Sequence, residues 1–158
     1  MTFPILILAV GNESRGDDAL APLLLRQLKQ HTDLSGVELL EDFQLQIEHA
    51  ADLVDRELVI FVDAGMDTPA PYSFYHARPD DDHTLFSHAL APEAVLTTYL
   101  RIYKQPPPPS YVLCLRGEQF ELGTQLTQQA RQHLQLALEF MQKLLQEPRA
   151  LVWEGYCI

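Results

Sequence analysis

Cysteine is scarce in this sequence. Its 158 residues include two, Cys114 and Cys157, too few and too far apart for a disulfide framework or a paired-cysteine metal site. Cys114 lies in an apolar run and reads as a small core residue. Basic side chains are also in short supply: 11 Lys and Arg against 22 Asp and Glu leave a net charge of −11 with the histidines neutral. A chain so balanced repels a polyphosphate, and its basic residues are scattered, so neither nucleic acid nor an anionic membrane is expected as a partner. Long hydrophobic runs are missing too. The first one ends at Val10, far short of the roughly 20 residues that span a bilayer. No basic region precedes it and no small-residue cleavage site follows, so the expectation is a cytoplasmic monomer without a signal peptide.

What is present is an ordinary globular composition. At 47% apolar and 21% charged, the chain has enough hydrophobic residues for one core, read here as one domain over 1–158 with an apolar tail at 149–158. Strand and helix signals alternate. Residues 3–10 form a continuous apolar run ended by Gly11-Asn12, as expected of a strand buried on both faces. Asp17-Asp18 opens a helical stretch, with Leu20, Leu23, Leu24 and Leu28 on one face and Pro22 close enough to the start to be tolerated. Further strands are expected at 37–40, at 58–62 ending on Asp63, at 72–77 on an edge, and at 111–115. Further helices are expected at 47–53, at 91–102 and from a Thr124 or Thr127 cap to about Leu145. Residues 106–109, four prolines, make a stiff connector. This order predicts an α/β three-layer sandwich, a mostly parallel twisted β-sheet with helices on both faces.

Such sheets bind ligands at the carboxyl ends of their strands. There the sequence places acids: Gly11-Asn12-Glu13-Ser14-Arg15-Gly16-Asp17-Asp18 after the first strand, and Asp63 after the third. Like charges held together raise each other's proton affinity, and a cation relieves the repulsion. The first loop lacks the Gly-Lys-Ser or Gly-Lys-Thr ending of a phosphate loop, and two aspartates at a helix start repel an anion. A cation site therefore fits better than a nucleotide cradle. The simpler reading is that Asp17 or Asp18 caps the helix and that Asp63 forms a turn. His88, before the 91–102 helix, is the histidine best placed to join the carboxylates, and such a set suits zinc or nickel. His49 reads as a surface or supporting residue; His31, His76 and His133 read as surface. A Ser14, His88 and Asp63 triad lacks the Gly-x-Ser-x-Gly elbow.

Residues 7–18, a strand ending in Gly11-Asn12 and followed by Arg15-Gly16-Asp17-Asp18, resemble the N-terminal signature of the nickel–iron hydrogenase maturation endopeptidases. The later order agrees: Glu41-Asp42-Phe43-Gln44-Leu45, then Val59-Ile60-Phe61-Val62-Asp63-Ala64, then Ser87-His88 before a helix. The resemblance implies an endopeptidase that removes a short C-terminal extension from the hydrogenase large-subunit precursor after nickel insertion, with the nickel supplied by that precursor. It also implies Asp18, Asp63 and His88 as metal-contacting residues, with Asp18 and Asp63 catalytic and Asp17 in support. The sequence departs from the family in two places. Phe43-Gln44-Leu45-Gln46 stands where many members are glycine-rich, and Pro92-Glu93 stands where some carry a histidine. A nickel-sensing, chaperone-like protein that binds the same precursor without cutting it is the alternative.

Overall fold

The computed structural model describes residues 2–80 and 90–157. Five strands form one sheet: β1 (Ile5–Val10), β2 (Val37–Asp42), β3 (Leu58–Gly65), β4 (Tyr72–Ala77) and β5 (Ser110–Arg116), in the order β2-β1-β3-β5-β4. The pairings β2–β1, β1–β3 and β3–β5 are parallel, whereas β4 runs antiparallel on the edge beside β5. The continuous apolar character of β1 has a direct cause. Every one of its six residues is buried, because both faces of this central strand are covered.

One face packs α1 (Leu20–His31), α3 (Gln128–Gln146) and α4 (Ala150–Glu154) over Ile5, Ile7, Ala9, Ile60, Val62 and Leu113. The other packs a 3₁₀ helix (Ile47–Leu53) and α2 (Pro92–Tyr103) over Leu6, Leu8, Val59, Phe61 and Val112. The alternation of odd and even positions between two separate cores makes this a three-layer sandwich. Thr127 caps α3, its side chain accepting from the Ala130 N–H at 3.2 Å. The proline run serves the sheet: the Pro109 carbonyl accepts from the Val59 N–H, and that of Pro108 from the Ser110 hydroxyl.

Two expectations need correction. Asp17 and Asp18 do not cap the first long helix; they sit in a 3₁₀ turn (Gly16–Ala19) whose hydrogen bonds lie elsewhere, and α1 begins at Leu20. The third strand does not stop before Asp63 but continues to Gly65, because Asp63, Ala64 and Gly65 pair with Cys114, Leu115 and Arg116. The tail folds as α4 and docks: Trp153 is fully buried, and its indole N–H donates to the carbonyls of Leu144 and Glu147 at 2.9 and 3.1 Å. A buried indole needs such partners, and the end of α3 offers unsatisfied carbonyls.

Candidate active site

The carboxyl ends of β1 and β3 open into a cleft of about 400 Å³ lined by Asp18, Asp63, Gly11, Phe43, Met66 and Phe120, among others. Glycine at position 11 is what lets the first loop fold back. A Cβ there would lie 2.1 Å from the Asp18 carbonyl oxygen. Asn12, the next residue, donates its N–H to Asp18 Oδ2 at 2.7 Å, which fixes one carboxylate at the cleft wall. Asp63 enters from β3, and its Oδ1 accepts from the Ala64 N–H at 2.7 Å.

Both carboxyls hold their protons more tightly than usual. Burial pushes the Asp63 carboxyl up to about 6, and the Asp18 charge adds to it against the opposing Ala64 hydrogen bond. Burial also raises Asp18, offset in part by the Asn12 N–H and by Arg15. Two mutually repelling carboxylates in one cleft suit a cation or a proton in flight.

Asp17 does different work from its neighbour. Fully buried, it accepts from the N–H groups of Glu118 (2.7 Å), Gln119 (3.1 Å) and Thr127 (2.8 Å) and from the Thr127 hydroxyl (2.8 Å). Burial alone would raise its pKa; these hydrogen bonds outweigh it and leave Asp17 below the usual range. It ties the first loop to the start of α3 and so holds Asp18 from behind. The sequence reading of Asp17 as a cap is replaced by this longer-range role.

Of the other candidates, His88 lies outside the described residues. Glu93 accepts a hydrogen bond from the Tyr75 hydroxyl at 3.0 Å and is not among the cleft-lining residues. Ser14 is exposed and lines a neighbouring cavity, apart from the cleft that holds Asp63. His49 is buried rather than on the surface: its Nδ1 accepts from the Gln46 N–H and its Nε2 faces Asp42 Oδ2 at 3.2 Å. It therefore fixes the loop after β2. His76 and His133 are half-buried as well, His76 paired with Glu154 and His133 bonded to the Arg116 carbonyl. Cys114 is not a core residue. It is half-buried next to Asp63 in the register, its Sγ 2.9 Å from the Thr68 hydroxyl, because β5 carries it to where the sheet face opens. Among the described residues, no group of three His, Cys, Asp or Glu side chains could hold a metal ion. No described helix is long and apolar enough to cross a membrane.

The apolar rim was not legible in sequence. Phe43, 75% exposed, and Met66, 57% exposed, stand at the cleft with Phe120 from the loop before α3. No periodicity marks them, since each sits in a connecting loop.

The same architecture occurs in solved structures. The hydrogenase maturating endopeptidase HybD from E. coli superposes with a TM-score of 0.75 over 94% of both chains at 25% identity. The chain is similar in structure to the hydrogenase maturation endopeptidases. A [NiFe] hydrogenase maturation protease, HycI from Thermococcus kodakarensis, shares the fold at 20% identity, with a TM-score of 0.68 over 92% of this chain and 94% of that one. No protein-family model and no curated protein matches the chain. The likeness to these endopeptidases thus rests on three-dimensional similarity, and it agrees with the resemblance carried by the two sequence motifs.

Proposed function

We propose that this protein is a peptidase that removes the C-terminal extension of a nickel–iron hydrogenase large-subunit precursor, recognising the nickel the precursor carries. The observation that carries the reading is the convergence of Asp18 and Asp63 in one cleft of this fold. Two carboxylates supply too few ligands to hold a transition metal alone, which suits an ion arriving with most of its ligands on the substrate. His88 is proposed as a further contact to that nickel.

In this reading Asp18 and Asp63 face the nickel-bearing end of the precursor. A water adds to the scissile carbonyl while Asp63, with a proton affinity close to the working pH, takes the water's proton. The proton passes to the leaving amine as the C–N bond breaks. The products are a shortened large subunit with a new carboxylate and a released peptide. Asn12 and Asp17 keep Asp18 in place, and the apolar rim limits water around the reacting groups. We place the reaction in the cytoplasm, with the enzyme acting as a monomer.

The test is incubation of nickel-loaded precursor with wild type, Asp18→Asn and Asp63→Asn, followed by mass spectrometry. Loss of a C-terminal peptide with wild type and a 100-fold or larger rate loss in both variants is expected. Nickel-dependent binding without any mass loss would instead establish the non-catalytic inspecting protein.

A further inference from the structure

The edge of the sheet nearest the cleft is open. On β2 the carbonyls of Gly36 and Asp42 accept from the N–H groups of Ile5 and Gly11, so the backbone groups of even-numbered residues turn toward β1. The alternation of a strand then turns those of Leu39 and Glu41 outward. Among the described residues, no backbone hydrogen bond reaches these outward groups of Leu39 and Glu41. The strand leads directly into Phe43, whose side chain lines both the Asp18–Asp63 cleft and the adjoining cavity of about 470 Å³ that contains Glu13, Glu41 and Asp42.

The loop beyond is fixed rather than slack. Phe43 N–H donates to Asp42 Oδ1 at 2.7 Å, and Gln46 and His49 close a reciprocal cap at the start of the 3₁₀ helix. An edge kept open beside a catalytic cleft, with its flanking loop pinned, is suited to receiving one more strand.

We infer that the precursor segment flanking the scissile bond binds as an added strand along β2, pairing with the outward N–H and C=O groups of Leu39 and Glu41. This rests on the peptidase reading above. Two observations favour this occupant over a second copy of the chain. The edge is continuous with the cleft that must receive the same segment. Its surroundings are also acidic: Glu13, Glu41 and Asp42 are answered at the second cavity by Arg26, which is itself paired with Glu13. A strand bearing Lys or Arg is complementary there, whereas a copy of β2 would bring a second Glu41 into the same acidic surroundings. Strands lie about 4.8 Å apart, so the added strand is roughly 14 Å from β3, a distance covered by about four or five extended residues. The paired residues therefore lie that far along the precursor from the bond cut.

Glu41→Pro removes one outward N–H and leaves the bonds to β1 intact, a change that edge strands tolerate. With nickel-loaded precursor, KM should rise at least tenfold while kcat changes less than threefold and the melting temperature stays close to that of wild type. An unchanged KM in the folded variant overturns strand addition without touching the peptidase reading, and cleavage absent even from wild type defeats that reading instead. Amide exchange on the wild-type protein is independent of how the variant folds. A synthetic peptide spanning the scissile bond should slow exchange at Leu39 and Glu41 by at least tenfold. Protection that appears with rising protein concentration and no peptide would mean the edge pairs with a second copy, and would overturn the proposal.

Discussion

Replacing Asp63 by asparagine should abolish cleavage and at the same time make the protein more stable above neutral pH. The unfolded carboxyl titrates near 3.8 and the folded one at about 6. Below pH 3.8 both forms are protonated and the group costs nothing. As pH rises through 3.8 the unfolded state ionises first, so stability falls, and the fall is complete once the folded carboxyl ionises above pH 6. At 1.36 kcal/mol per unit, a difference of about two units is about 3 kcal/mol; residual water at the cleft mouth reduces it to roughly 1–3 kcal/mol. Asparagine keeps the oxygen that accepts from Ala64 and carries no charge. For a chain of this size each kcal/mol moves the midpoint by roughly 2–4 °C, so Asp63→Asn should melt roughly 2–12 °C higher than wild type at pH 8. At pH 4 the gap should largely close. Calorimetry or circular dichroism of both proteins at the two pH values measures it. A variant that melts no higher than wild type at pH 8, or by the same margin at both pH values, would refute the view of Asp63 as a carboxylate held against its own repulsion.

Two further substitutions probe the support of the site. Asp17→Ala strands three backbone N–H groups and a hydroxyl inside the protein, and should cost about 3 kcal/mol or more in urea unfolding; a cost under 1 kcal/mol would mean the first loop is not anchored there. Gly11→Ala drives a methyl into the Asp18 carbonyl and should lower cleavage at least tenfold with a stability loss of about 1–3 kcal/mol; full activity would show that Asp18 need not be held so closely.

Much of the fold was legible because it depends on local patterns. The buried runs of β1 and β3, the leucine face of α1, the edge position of β4 and the Thr127 cap follow from periodicity and from which residues satisfy a helix start. The misreadings share a cause. Asp17 is defined by partners far away in the chain, Cys114 by the local opening of a sheet face, and His49 by the turn after β2 that folds it onto Gln46 and Asp42, and none of these leaves a periodic signal.

The sequence by itself determined the alternation of strands and helices, the acidic balance that disfavours polyanionic partners, and the two strand ends where carboxylates had to emerge. Tertiary structure decided which acid does what. Asp17 and Asp18 are chemically identical neighbours, yet one is turned into a nest of backbone donors and held charged, while the other faces Asp63 and holds its proton more tightly. That division is set by which groups the folded chain brings within hydrogen-bonding distance, since local identity is the same for both. The open edge of β2 and its continuity with the cleft were likewise decided only when β1 took its place between β2 and β3.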